Sequence, residues 1–173
     1  MTQRLHSARL DLEPVRPSLA DEAWPQVDDE RMWTYFPELR PATRGDLRAQ
    51  YERWERGSRD PSQIWLNWLC RDRSKNVLIG SMQATLFPDE RSAYLAYAVY
   101  PEHQRLGYAA EASRCVIEHL RDRYHVRRIL AEMDVRNEPS FRLAESLGFK
   151  RVTREGNSYV YELASAPLIG KSG

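Results

Sequence analysis

The chain has 173 residues, with 26 Lys+Arg against 25 Asp+Glu for a net charge of +1, so no field of one sign recruits a partner and binding through bulk charge is excluded. Its apolar fraction of 42% is that of an ordinary globular domain, and one domain of this length buries about 70% of its unfolded surface without metal or disulfide staples. No apolar run reaches the roughly 18 residues of a membrane span and no signal-peptide core follows Met1. Cys70 and Cys115 sit in apolar patterns as small hydrophobes, so a soluble cytoplasmic protein is expected.

Ala8 to Arg16 alternates apolar and polar residues and ends at Pro14 and Pro17, which predicts a first strand. A capping signal at Ser18 opens a helix that Pro25 is expected to interrupt. Thr43 to Asp46 opens another, with Leu47, Tyr51 and Trp54 on one face. These helices are expected to form a lobe of their own. Ile64 to Arg71, Asn76 to Phe87 and Arg91 to Tyr100, separated by polar turns, read as an antiparallel meander. A long helix from Leu106 to Tyr124 follows, with a buried stripe of Leu106, Ala109, Ala110, Ser113, Val116, Ile117, Leu120 and Tyr124. A strand from Arg128 to Val135, a helix from Pro139 to Leu147 closed by Gly148, and strands around Lys150 to Arg154 and Ser158 to Leu163 finish the pattern. The expectation is one domain over 1–163, with 164–173 as a tail.

Two stretches carry chemistry. Between Tyr97 and Ala112 a strand runs into a turn where Gln104, Gly107 and Ala109 open the long helix. Small residues there let a ligand approach the main chain, and the unpaired N–H groups and dipole of a helix start favour an anion, a diphosphate above all. The spacing is neither that of a P-loop nor that of a dinucleotide-binding fingerprint. In the second stretch Asn137 is an N-cap, Pro139 an early helical residue and Gly148 a C-cap. By themselves these specify only a capped amphipathic helix.

The Gln104-x-x-Gly107-x-Ala109 turn, together with Asn137-x-x-Ser140 and Leu147-Gly148-Phe149, resembles the GNAT superfamily of acetyl-CoA-dependent N-acetyltransferases. The match is to the branch that includes the bacterial ribosomal-protein N-terminal acetyltransferases. The resemblance implies an α/β (α+β) fold with a central mixed, mostly antiparallel sheet, flanked by helices and splayed between its fourth and fifth strands. It further implies that main-chain amides of Arg105, Leu106, Gly107, Tyr108, Ala109 and Ala110 hold the CoA diphosphate. Val99 would bond the pantetheine arm like an added strand, and the Tyr97 amide would polarise the acetyl carbonyl. Asn137 would touch the pantetheine, and Ser140 would stabilise or protonate the departing thiolate. Other branches use a tyrosine on this helix. None lies between Asn137 and Phe149, which leaves Ser140, unless its hydroxyl only belongs to the helix start.

Where the branch often carries an acid on its fourth strand, Tyr94 stands here. The remaining acids are Glu132 and Asp134, on one face of their strand, either catalytic or solvated. An α-amino acceptor, with a pKa near about 8, is partly neutral at pH 7 and needs little help from a base. Trp33, Tyr35 and Tyr94 are candidates for lining the acceptor. The partners implied are acetyl-CoA as co-substrate, an amine acceptor and a second copy of the chain as a homodimer, with no metal, nucleic acid or membrane. A protein or peptide N-terminus is the acceptor expected; the alternatives are a small-molecule amine such as an aminoglycoside, polyamine or amino acid, and a CoA-binding sensor that has lost turnover. All basic residues are arginine except Lys75, Lys150 and Lys171. The cluster Arg121, Arg123, Arg127 and Arg128 reads as an ion-paired face or a contact for the CoA 3′-phosphate.

Overall fold

Residues 2–164 are described by a computed structural model of the chain. Its strands are β1 (Leu5–His6), β2 (Leu10–Pro14), β3 (Ile64–Asp72), β4 (Val77–Phe87), β5 (Ser92–Val99), β6 (Arg128–Asp134), β7 (Lys150–Glu155) and β8 (Ser158–Ala164). The helices are α1 (Ala20–Val27), α2 (Arg44–Arg56), α3 (Tyr108–Tyr124) and α4 (Glu138–Ser146). The strands make one sheet in the order β1-β2-β3-β4-β5-β6-β8-β7. Every neighbouring pair is antiparallel except β5 with β6, which is parallel. This is the mixed, mostly antiparallel α/β architecture expected, with the meander β3-β4-β5 at its centre.

Alternation along the strands sends neighbours to opposite layers. Trp68 on β3 packs with Leu10, Leu66, Ile79 and the α3 residues Tyr108, Ala112, Val116, Ile117 and Leu120. Its neighbour Leu69 packs with Ala20, Ala23 and Val27 of α1 and with Leu47 and Tyr51 of α2. The N-terminal helices therefore cover one face of the sheet and α3 the other. Thr43 caps α2 as expected, its hydroxyl accepting from the Asp46 N–H at 3.1 Å.

Several expectations need correction. The first strand is shorter, Leu10–Pro14, and is preceded by an edge strand, β1, that the alternation did not reveal. Ser18 does not cap α1, which opens at Leu19 after a tight turn over Pro17–Leu19 and has no side-chain cap. Pro25 lies within α1 instead of interrupting it; in so short a helix it removes one bond, and Asp21, four residues earlier, is solvent-exposed. The stripe helix starts at Tyr108, and Leu106 is exposed. Tyr108, not Leu106, begins the buried stripe, because Gly107 enters the left-handed region at φ 80° and turns the chain before the first helical residue. β8 inserts between β6 and β7, leaving β7 at the edge. Ala164 closes β8 opposite Arg128, and the rest of the expected tail, 165–173, lies outside the described residues. Among the described residues no helix is long and apolar enough to cross a membrane.

Candidate active site

The parallel pairing of β5 with β6 lasts three residues, from Ser92 opposite Arg128 to Tyr94 opposite Leu130. Beyond that point β6 continues with β8, while β5 runs to Val99 with β4 on one side only. On that side Ile79 faces Tyr100, whose N–H donates to the Ile79 carbonyl at 2.9 Å. Hydrogen-bonded pairs alternate along an antiparallel ladder, so the main-chain groups of Ala98 and Ala96 turn toward β4 and those of Tyr97 and Val99 turn toward the gap. The splay thus presents two residues' worth of unpaired strand edge. Gly80 keeps β4 close behind it: a Cβ there would fall 2.2 Å from the Ala98 carbonyl oxygen. The Gln104 side chain donates to the Val99 carbonyl at 3.0 Å. It ties the end of β5 to the following turn and leaves the Val99 N–H facing the gap.

That turn leads into α3. Arg105 and Gly107 both adopt positive φ, 62° and 80°, and alternating left-handed residues curl successive N–H groups toward one side. Gly107 is the N-cap of α3 and supplies no side-chain cap. The first N–H groups of the helix therefore lack partners from the helix itself. Gln104 to Gly107 are exposed and Ala109 and Ala110 half-buried, so a ligand can reach these donors. The one acid of the first turn, Glu111, is ion-paired with Arg9 at 2.7 Å and does not repel an anion there. Tyr108 points inward, its hydroxyl donating to the buried Asp72 carboxylate. That bond, with those from Ser74, holds the Asp72 pKa well below the usual carboxylate range. His103 sits beside the turn, its pKa lowered by burial and by Lys75, which disfavours its charged form.

Across the gap Asn137 caps α4 as its sequence predicts, its Oδ1 accepting from the Ser140 N–H at 3.2 Å. Ser140 is half-buried. The Tyr97 side chain lies on the same face of β5 as Ala93 and Leu95, packed into the α3-side core. Burial pushes the Tyr97 phenol above its ordinary range, and the adjacent Ser140 hydroxyl draws it partly back. The phenol oxygen is buried and closes no hydrogen bond of good geometry, so the two hydroxyls are neighbours, not bonded partners. Sequence reasoning assigned Tyr97 only its amide. The signal that would have found the side chain is the alternation Ala93, Leu95, Tyr97, which puts the phenol on the face that carries Ser140.

On the opposite face lie the acceptor-side candidates. Tyr94 is 40% exposed, with its ring edge-on to Phe87 at 6.2 Å. Glu132 is exposed and has no ion pair or hydrogen bond among the described residues. Asp134 shares its face of β6, yet two bonds from the Arg136 guanidinium at 2.8 and 2.9 Å, and one from the Arg136 N–H, engage it. Arg136 thereby pulls the Asp134 pKa down to about 2, which makes this carboxylate a poor proton acceptor. The Arg136 guanidinium lies 6.0 Å from the Tyr35 ring centre, and so Tyr35, from the α1–α2 connection, reaches the end of β6. Trp33 does not: its indole donates to the Val27 carbonyl at 2.7 Å and packs with the helical lobe. Among the arginines of the expected cluster, Arg128 pairs with Glu162 at 2.9 Å.

Residues 9–150 match the acetyltransferase (GNAT) domain family. The chain is 34% identical over 136 residues to a mycothiol acetyltransferase of Thermomonospora curvata, a stretch that is 78% of this chain and 42% of that protein. It is 28% identical over 79 residues, 46% of each chain, to the uncharacterized N-acetyltransferase YnaD of Bacillus subtilis. These alignments span less than half the length of either relative. Among solved structures, RimL, a ribosomal L7/L12 alpha-N-protein acetyltransferase in complex with coenzyme A, superposes with a TM-score of 0.80 at 16% identity, covering 94% of this chain and 98% of that one.

Proposed function

Since the chain belongs to the GNAT acetyltransferase family, we propose that it transfers the acetyl group of acetyl-CoA to a primary amine, and that this amine is the N-terminus of a protein or peptide. The observation that carries the reading is the junction of two sets of unpaired main-chain donors, the strand edge at Tyr97 and Val99 and the helix start at 105–110. A long ligand that is amide-rich at one end and doubly anionic at the other fits both. The Val99 N–H meets the pantetheine arm, the amides from Arg105 to Ala110 meet the diphosphate, and the Tyr97 N–H faces the acetyl carbonyl oxygen. Asn137 borders the arm. The neutral amine attacks the carbonyl carbon, forming the C–N bond; the C–S bond breaks, and the electron pair leaves on sulfur. Ser140, beside the Tyr97 phenol, receives that charge by donating a hydrogen bond. The proton lost by nitrogen goes to water or to Glu132, the free carboxylate on the acceptor side. Asp134, already paired with Arg136, orients that strand end and does not accept the proton.

An α-amino acceptor fits a site with so little basic help, because its ordinary pKa near about 8 leaves part of it neutral at pH 7. Tyr35 and Tyr94 offer half-open aromatic surface where the first side chains of a peptide would lie. The test is thiol release from acetyl-CoA with three acceptors: peptides with a free N-terminus, the same peptides Nα-blocked but carrying lysine, and small amines. Turnover confined to free N-termini is the expected result. Turnover of small amines alone overturns the acceptor assignment, and tight CoA binding with no thiol release from any acceptor overturns the enzymatic one.

A further inference from the structure

The loop between β1 and β2 is far in sequence from the helix start of α3, yet it is bonded to it more densely than any neighbouring segment. The Glu111 carboxylate accepts from the Ser7 hydroxyl at 2.6 Å, from the Arg9 N–H at 2.7 Å and from the Arg9 Nε at 2.7 Å. The Arg9 Nη1 donates to the Leu106 carbonyl at 3.0 Å. The same guanidinium stacks over the Tyr108 ring, 4.5 Å from its centre. Its Nη2 lies 3.4 Å from where a Cβ on Gly107 would stand. One side chain thus bonds residues 106 and 111, stacks on 108 and lies beside the Cβ position of 107 in the anion-facing turn. Behind it, Arg73 donates to the carbonyls of Ser7 and Ala8, fixing the loop that carries Arg9.

Resting on the acetyl-CoA reading above, we propose that Arg9 is a positioning residue for the diphosphate cradle. A trans peptide points its carbonyl and the next N–H in opposite directions. Holding the Leu106 carbonyl toward Arg9 therefore turns the Gly107 N–H away from it, to the open side where Ala109 and Ala110 also present their amides. Arg9 also neutralises Glu111, which would otherwise set a negative charge one turn from the phosphates. Its action needs the fork of the guanidinium: Nε and Nη1 engage two different acceptors at once, a geometry that a lysine ammonium cannot reproduce.

The test compares the intact chain with Arg9→Ala and Arg9→Lys, using one peptide acceptor and two acetyl donors, acetyl-CoA and S-acetylpantetheine, which lacks the diphosphate. Arg9→Ala retains a fold-sustaining tie, because the Ser7 hydroxyl and the residue-9 N–H still reach Glu111. The expected result is that the ratio of kcat/KM for acetyl-CoA over S-acetylpantetheine falls about tenfold, the weight of one charge-assisted bond. The fall should appear in KM and in the calorimetric Kd of CoA, with kcat changed far less, and Arg9→Lys should recover only a small part. An unchanged ratio overturns the proposal, as does full rescue by Arg9→Lys, which would reduce Arg9 to a point charge. If Arg9→Ala does not accumulate folded, the ratio in Arg9→Lys and Arg9→Gln decides in the same way. A wild-type chain that does not bind CoA defeats the functional reading instead, so the two failures are distinguishable.

Discussion

The two sides of the splay are built from different material. On the cofactor side the chain offers main-chain N–H groups at Tyr97, Val99 and the turn of 105–110, and side chains such as Gln104, Arg9 and Tyr108 stand behind them as braces. On the acceptor side the groups offered are side chains from three separate elements: Tyr35 before α2, Tyr94 on β5 and Glu132 on β6. No hydrogen bond joins these three among the described residues. A main-chain cradle is set by backbone conformation and suits the one donor molecule proposed for it; scattered side chains can be exchanged singly, which suits the proposed role of distinguishing acceptors.

The sharpest way to break this contrast is Gly107→Glu. The residue sits at φ 80°, which L side chains rarely adopt, and a Cβ there would stand in contact with the Arg9 guanidinium, 3.4 Å from its Nη2. A glutamate there sets its carboxylate beside the Arg9 guanidinium, draws it from the Leu106 carbonyl and Glu111, and adds a negative charge next to the diphosphate cradle. CoA affinity measured by calorimetry should fall about a hundredfold or more, the sum of backbone strain and a lost anion site. Retained affinity would mean that the cofactor half is not held by this turn.

What the sequence revealed follows the same division. Gly107 and Asn137 were legible because each acts on backbone within a few residues of itself, in a turn and in a helix cap; Gln104 stood out by its place in the turn, but its bond to the Val99 carbonyl did not. The braces were not. Arg9 meets Glu111 across 102 positions and Tyr108 meets Asp72 across 36, and nothing in local periodicity announces such pairs. The misplaced start of the long helix has the same origin. Leu106 fits the apolar stripe at the correct spacing, but Tyr108 takes the buried place because Asp72 is there to accept its hydroxyl. On the acceptor side, spacing alone made Glu132 and Asp134 equivalent; burial and the pairing with Arg136 separate them.

A change of intermediate size probes the seam between the halves. Ser140→Ala removes the hydroxyl proposed to meet the departing sulfur but leaves the Asn137 cap, which bonds the main-chain N–H of residue 140. It should lower kcat about tenfold with a smaller change in KM, the pattern of an interaction made in the transition state. Tyr97→Phe, read beside it, shows whether the buried phenol shares the task. If Ser140→Ala leaves kcat intact, the serine is only part of the helix start.

The smallest expected effect concerns the two carboxylates of β6. The Arg136 guanidinium holds Asp134 ionised down to about pH 2. A carboxylate with a depressed folded-state pKa contributes its stability above the ordinary range near about 4 and loses it as pH falls through the folded value. Between pH 5 and 9 Asp134 therefore undergoes no change that could shape the rate. Over that range the kcat/KM profile should rise toward about pH 8 as the α-amino acceptor loses its proton. Asp134→Asn should leave the position of that rise unchanged, whatever it does to the height. Glu132→Gln should lower the plateau about threefold, the weight of an optional base acting on an amine already partly neutral. A limb that disappears in Asp134→Asn and persists in Glu132→Gln would exchange their roles, and would require the Arg136 pair to open when the acceptor binds.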